Sequence, residues 1–124
     1  MRLLLDTHVL LWALARPSTL PSSFREELDD ADVYVSAASI WEISIKSSIG
    51  KINASPLEIL DVVAATGFDL LPITGEHAAH VVSLPPLHKD PFDRLLVAQA
   101  QLEPLVLVTN DIALRGYGDF VRLL

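Results

Sequence analysis

Four acidic residues stand out because each lies close to the end of a predicted strand or the start of a predicted helix: Asp6, Glu42, Asp93 and Asp111. Carboxylates that are brought together repel one another unless a cation lies between them, and Mg²⁺ and Mn²⁺ prefer such oxygen ligands. A cation held in this way lowers the pKa of a bound water and neutralises charge on a phosphoryl group. The four acids therefore predict a site for one or two divalent cations that supports hydrolysis of a phosphodiester.

Each acid also has an ordinary structural explanation. Asp6 and Asp111 could cap the helical segments that follow them. Glu42 could form an i,i+4 ion pair with Lys46, and Asp93 could favour a helix start through the helix dipole. Taken singly these explanations are adequate, but they do not account for four acids from separate segments at one predicted end of a sheet.

Short apolar runs alternate with helical segments along the whole chain. Strands are predicted at residues 3–5, 33–35, 68–73, 105–108 and 120–123, and helices at 7–15, 22–30, 37–48, 55–66, 76–84 and 90–102, with a short helical turn at 111–114 that Gly116 and Gly118 interrupt. This alternation predicts an α/β fold with three layers, in which helices cover both faces of a parallel sheet of about five strands. Ligands of such sheets bind beyond the carboxyl ends of the strands, which is where the four acids are expected.

Length and composition limit the remaining choices. The 124 residues suit one domain, so residues 1–124 are expected to fold as a single unit. No long apolar stretch is free of charge and no signal peptide is evident, so neither a membrane span nor secretion is expected. The absence of cysteine excludes disulfides and thiolate metal sites, and fits a cytoplasmic protein. A hydrophobic content of 51% and a mean hydropathy of +0.40 suggest an oligomer interface.

The net charge of −7 is the main objection to a nucleic-acid substrate. Phosphate binding is driven by positive charge, so an acidic protein binds nucleic acid poorly. The objection weakens if several of the acids form one cluster that carries cations, because the bound ions reverse the local charge.

Four motifs, which together span essentially the whole chain, resemble those of PIN-domain toxins of the VapC type and occur in the same order: Leu3-Leu4-Leu5-Asp6-Thr7-His8, Ser36-Ala-Ala-Ser-Ile-Trp41-Glu42-Ile43, Asp90-Pro-Phe-Asp93-Arg94-Leu-Leu-Val-Ala-Gln-Ala100 and Val108-Thr109-Asn110-Asp111. The first three acids of that family correspond to Asp6, Glu42 and Asp93, and its more variable fourth acid corresponds to Asp111. No departure occurs at these positions.

The resemblance implies more than the pattern of residues does. It implies a parallel sheet of order 3-2-1-4-5 and cleavage of RNA that depends on Mg²⁺ or Mn²⁺, with the four acids as catalytic and metal-binding residues. It also implies a homodimer and inhibition by a cognate VapB-like antitoxin protein.

Several neighbours of the acids invite weaker hypotheses. Asp90 is expected to cap the helix that carries Asp93, and Thr7 and Thr109 could orient carboxylates or waters. Basic side chains near the acids in sequence could steer phosphate groups: Lys46, His88, Lys89 and Arg94.

Other polar and aromatic residues favour structural explanations. His77 and His80 lie one helical turn apart without an evident third ligand, so a zinc site is not expected. Trp12 and Trp41 are expected in the core or in a dimer interface.

Two alternative functions remain. A receiver-like phosphoacceptor module of signalling pathways is also an α/β protein of about this length with acids at strand ends. Such modules usually carry a pair of acids after the first strand, whereas Asp6 here is followed by Thr7. The second alternative is a catalytically inert PIN domain that only binds a partner, which the intact set of acids disfavours.

Overall fold

The computed structural model describes residues 1–124. The strands are β1 (Arg2–Leu5), β2 (Asp32–Ser36), β3 (Asp69–Leu71), β4 (Val106–Thr109) and β5 (Val121–Leu123). The α-helices are α1 (Thr7–Ala15), α2 (Ser22–Asp30), α3 (Ala37–Ser48), α4 (Pro56–Thr66), α5 (Gly75–His80) and α6 (Pro91–Leu102), and 3-10 turns occupy Pro17–Thr19, Val81–Ser83 and Ile112–Tyr117. The predicted alternation of strands and helices is confirmed.

All five strands are parallel, and their order in the sheet is β3-β2-β1-β4-β5. This is the order that the resemblance implied. It differs from the order 2-1-3-4-5 of receiver modules, so the receiver hypothesis is wrong. Successive strands first add on one side of β1 and then on the other, so the order reverses between β1 and β4. Ligands of open α/β sheets bind at such a reversal, beyond the carboxyl ends of the strands.

The sheet lies between two buried hydrophobic clusters. Alternate side chains of β1 point to opposite faces, so Leu4 joins one cluster while Leu3 and Leu5 join the other. Helix α6 provides most helical residues of the first cluster, and α1 to α4 contribute to the second. Leu4 is fully buried, so its truncation to alanine is expected to cost about 2–5 kcal/mol. The three-layer α/β/α fold is thus confirmed.

Local sequence sets most of the helix ends. Ser55 caps α4 by accepting a hydrogen bond from Glu58 N–H, Pro56 occupies its first position, and Gly67 ends it in the left-handed conformation with φ 86°. Two segments that follow α4 differ from the prediction. The first is the helix expected at 76–84, which changes to a 3-10 turn after His80.

The last 3-10 turn also differs, because Gly116 was expected to break it and lies within it. The absence of a side chain at Gly116 instead allows close packing, since a Cβ atom there would lie 3.0 Å from Leu87 Cδ1. Gly118, at φ 149°, follows the turn. The loop before α6 is thereby packed against the segment that follows β4, and both segments carry residues of the site.

Candidate metal-binding site

Asp6 lies at the carboxyl end of β1, at the reversal of strand order. Its Oδ1 accepts a hydrogen bond from Val9 N–H at 2.9 Å, so the residue does cap α1. Its Oδ2 accepts a hydrogen bond from the hydroxyl of Thr109, at the end of the adjacent strand β4. Burial raises the pKa of Asp6, and these hydrogen bonds oppose the shift. Capping and a place in the site are therefore compatible for this residue.

Glu42 projects from α3 and is almost as buried as Asp6. Its Oε1 accepts a hydrogen bond of 2.6 Å from the hydroxyl of Thr7, and its Oε2 pairs with Lys46 Nζ at 2.5 Å. This hydrogen bond raises the pKa of Lys46. The two threonines that follow β1 and end β4 thus each hold one carboxylate, as proposed for them from the sequence.

Asp93 lies in the first turn of α6, and Asp90 caps that helix by accepting hydrogen bonds from Phe92 N–H and Asp93 N–H. The pKa of Asp93 is raised to about 7, chiefly by burial and also by the negative charges of Asp90, Glu42 and Asp6, while His88 opposes the shift. Charges on three separate elements therefore act on one carboxyl group.

Asp111 caps the 3-10 turn after β4 through Ala113 N–H and turns its other oxygen toward a histidine. His88 Nε2 lies 2.9 Å from Asp111 Oδ2 and 3.5 Å from Asp93 Oδ2. A ligand atom of each of these three residues lies within 4.8 Å of the others. The hydrogen bond to His88 lowers the pKa of Asp111. The structure thus joins the third and fourth acids through a histidine.

The place of His88 between two acids is a feature that sequence reasoning missed, since the residue was expected only to steer phosphates. Its position just before the cap of α6 is the one local feature that could have suggested it. His8 is a second omission, because its charge lowers the pKa values of Asp6 and Asp111 and the residue therefore lies near both.

The prediction that Arg94 steers phosphates is wrong. Its guanidinium donates hydrogen bonds to the carbonyls of Pro85 and Val81 and to the hydroxyl of Tyr117, so it fastens the preceding loop instead. Lys46 is committed to Glu42, as its ordinary explanation requires. Lys89 lies in an exposed loop position.

The remaining candidates differ in how well their expected structural roles agree with the structure. His77 is buried, accepts a hydrogen bond from Thr74 N–H and faces Glu103, so both of its ring nitrogens have partners within the fold. Trp41 is 55% exposed and meets the ring of Phe92 edge-on at 5.1 Å, so of its two expected places the core is wrong and the dimer interface stays a prediction. A pocket of about 610 Å³ lies between α1, α2 and the end of α4 and is lined by none of the four acids.

The chemistry of the donor set fits a hard divalent cation. The side chains at this edge of the sheet offer carboxylate oxygens from four separate elements, with no thiolate among them. Asp93 is the least committed of them, because its only ion-pair partner is His88 at 3.5 Å, and its pKa is raised to about 7 first by burial and then by repulsion from Asp90, Glu42 and Asp6. A cation bound there would be held by oxygens of Asp6, Glu42, Asp93 and Asp111 and would relieve this repulsion.

Structural comparison identifies similar folds across the full chain. The structure of VapBC2 from Rickettsia felis bound to a promoter DNA fragment matches with a TM-score of 0.73 and 19% identity, over 100% of this chain and 98% of that chain. DNA-bound VapBC from Salmonella typhimurium matches with a TM-score of 0.69 and 17% identity, over 100% and 97%. FitAcB from Neisseria gonorrhoeae matches with a TM-score of 0.67 and 20% identity, over 98% and 96%.

Comparison of sequences gives the family. A search of curated protein sequences returns no significant match. The PIN domain family, in contrast, matches residues 3–119, which include all four acids, strands β2 to β4 and all of β1 but its first residue. That match agrees with the order of the strands and with the place of the acids at the reversal between β1 and β4. This chain belongs to the PIN domain family.

Proposed function

We propose that this protein is a divalent-metal-dependent endoribonuclease and the toxin of a toxin–antitoxin pair. In this proposal, residues 1–124 act as one nuclease unit in the cytoplasm, and Asp6, Glu42, Asp93 and Asp111 bind Mg²⁺ or Mn²⁺. The reaction is hydrolysis of RNA, in which the oxygen of water bonds to phosphorus, a P–O ester bond breaks, and the leaving oxygen takes a proton.

One observation carries the proposal: carboxylates from separate elements meet at the strand-order reversal, and one of them has a pKa raised to about 7. A carboxylate that only caps a helix has no need of three further acids around it. A bound divalent cation supplies charge neutralisation at a phosphoryl group and a lowered pKa for water. The cluster also answers the objection from the net charge of −7, because cations at this site reverse the local charge.

The protein's own side chains have distinct parts in the proposal. Thr109 and Thr7 fix one oxygen each of Asp6 and Glu42, so these carboxylates are oriented before any ligand arrives. Asp93 carries a proton over much of the neutral pH range and has to lose it when a cation binds. Metal binding is therefore expected to strengthen as the pH rises through 7.

The proposed partners follow from the same site and from the surface. The structural relatives are complexes named VapBC and FitAcB, and one further match is a toxin-antitoxin complex from Klebsiella pneumoniae. A cognate VapB-like antitoxin would inhibit by placing an arginine over the acids, since guanidinium pairs with carboxylates bidentately. Exposed apolar side chains on α3, α4 and β3, among them Trp41, Leu57 and Leu70, support a homodimer.

No helix has the length and apolar character needed to span a membrane.

Single amide substitutions test the proposal. We expect Asp6→Asn, Glu42→Gln and Asp93→Asn each to lower the rate of RNA cleavage in Mg²⁺ by at least about 100-fold while circular dichroism stays unchanged. Asp111→Asn should be milder, because Asp111 is the most exposed of the four acids and corresponds to the more variable fourth acid of the family. Full activity of Asp6→Asn would contradict the assignment, and a wild-type protein that binds Mn²⁺ but cleaves no RNA would favour the inert PIN domain instead.

A further inference from the structure

His88 makes a defined hydrogen bond on each side of its ring. Nδ1 lies 3.0 Å from the backbone nitrogen of Asp90, and Nε2 lies 2.9 Å from Asp111 Oδ2. A backbone N–H can only donate, so Nδ1 must present its lone pair to Asp90. The ring proton therefore lies on Nε2, which makes Nε2 the donor to the carboxylate.

This tautomer decides what the histidine can do at the site. His88 Nε2 and oxygens of Asp93 and Asp111 lie within 4.8 Å of one another, which is close enough for all three to bind one cation. A ring nitrogen that carries a proton has no lone pair for a metal, however, and the other nitrogen is occupied by Asp90 N–H. His88 can therefore hold the carboxylates but is not itself a ligand in this arrangement.

The backbone of His88 is fixed as firmly as its ring. Its N–H donates to the hydroxyl oxygen of Tyr117 at 3.1 Å, and Arg94 donates to the same oxygen at 3.2 Å. Arg94 also donates to the carbonyl of Pro85, three residues before His88. The loop that presents the imidazole is thus tied to α6 and to the turn after β4, and these are the segments that carry the third and fourth acids.

We propose that His88 is a positioning residue, whose Nε2–H holds the carboxylate of Asp111 at 2.9 Å and faces that of Asp93 at 3.5 Å, so that both direct oxygens toward one divalent cation. The inference rests on the proposed metal-dependent function and adds to it the group that links two of the acids. Removing such a hydrogen-bond partner of a metal ligand typically lowers metal affinity by about 10–100-fold.

A matched pair of substitutions separates the two hydrogen bonds. Asparagine places its amide atoms two bonds from Cβ, as Nδ1 is placed, so His88→Asn keeps an acceptor for Asp90 N–H but loses the donor to the acids. Glutamine places its amide nitrogen three bonds from Cβ, as Nε2 is placed, so His88→Gln keeps the donor. Mn²⁺ binding, followed by the paramagnetic resonance signal of free Mn²⁺ at pH 8, is measured for both variants, the wild type and Asp93→Asn.

We expect His88→Asn to bind Mn²⁺ about 10-fold more weakly than the wild type, and His88→Gln to stay within about 3-fold of it. Equal affinity of His88→Asn and the wild type would overturn the positioning role. Equal loss in both variants would also overturn it, because that result indicates a direct ligand or a general disturbance of the loop. A wild type that does not bind Mn²⁺, or an unaffected Asp93→Asn, would overturn the proposed metal site and the role of His88 with it.

A second measurement needs no metal. Long-range ¹H–¹⁵N correlation spectra of the metal-free wild type at pH 8 are expected to show the His88 ring protonated at Nε2 only. A ring protonated at Nδ1 would overturn the inference even if the Mn²⁺ affinities followed the expected order, because the donor to the acids would then be absent.

Discussion

His77 and His88 make the same pair of hydrogen bonds in different surroundings. In each, Nδ1 lies 3.0 Å from a backbone N–H near a helix start, and Nε2 lies within hydrogen-bond distance of a carboxylate. The carboxylate is Glu103 for His77, at 2.7 Å, and Asp111 for His88, at 2.9 Å.

The two histidines differ in the groups that surround these hydrogen bonds. His77 is 2% exposed and belongs to a closed polar network, in which Gln99 approaches its Nδ1 and accepts a hydrogen bond from Ser36. The side chain of His88 is 18% exposed and faces a second carboxylate, Asp93, whose pKa is about 7. The closed network satisfies its polar groups internally, whereas the cluster at His88 retains negative charge. The same local arrangement therefore belongs to a closed polar network at one place and borders the proposed metal site at the other.

The largest effect on stability is expected at the closed network. His77→Ala leaves Thr74 N–H and Glu103 without their partner and creates a cavity, so the free energy of unfolding should fall by about 2–4 kcal/mol. Urea denaturation measures this loss, with His80→Ala as a control expected to cost less than about 1 kcal/mol because that residue lies at the surface. If His77→Ala were as stable as the control, the network would not be a structural element.

A substitution in the charged cluster around His88 is expected to increase stability instead of lowering it. The carboxyl group of Asp93 ionises near pH 7 in the folded protein but near pH 4 when unfolded, so only the folded state retains its proton between these values. This group therefore makes the metal-free protein less stable as the pH rises from about 4 to 7, and the loss is complete above 7. Asp93→Asn lacks this titration, so in chelator at pH 8 it should be more stable than the wild type by about 1–2 kcal/mol.

Thermal melting in chelator at pH 5 and pH 8 measures the contribution of Asp93. Added Mn²⁺ should raise the melting temperature of the wild type more than that of Asp93→Asn, because the cation binds only the folded state. A variant that melts below the wild type in chelator, with no shift by metal in either protein, would show that Asp93 merely serves the start of α6.

The smallest effects on stability are expected when the carboxylate partners of the two histidines become amides. Glu103→Gln and Asp111→Asn both retain an oxygen that accepts the histidine proton, so each should change the free energy of unfolding by less than about 1 kcal/mol. Mn²⁺ affinity should separate them, with Asp111→Asn several-fold weaker and Glu103→Gln unchanged. Equal affinities in the two variants would remove the functional distinction between the histidines.

The sequence was sufficient to predict the structure where capping, backbone preference and apolar patterning determine it. Ser55, Pro56 and Gly67 mark the ends of α4 by capping and backbone preference alone, and the apolar run before Asp6 identifies a buried strand. The place of Asp6 and Asp111 at one edge of the sheet follows from the alternation of strands and helices, because this alternation makes the strands parallel and their carboxyl ends share that edge.

The sequence was insufficient to predict a side chain's role where its contacts come from residues distant along the chain. Arg94 resembles a phosphate-binding residue in its motif, but the carbonyls of the preceding loop and the hydroxyl of Tyr117 surround it in three dimensions. The position of His88 depends on the same tertiary contacts, so neither its place between two acids nor its tautomer could be derived from spacing.

The hydrogen bond from Thr109 to Asp6 joins residues 103 positions apart. Strand β1 and helix α1 are synthesised before helices α2 to α6, whereas β4, the strand that orients the first acid, follows all of these helices. A growing chain that has reached the end of α6 already contains three of the four acids, yet it lacks both Thr109 and Asp111. The complete cluster can therefore form only after β4 and Asp111 have been synthesised, so the proposed activity cannot begin before that point.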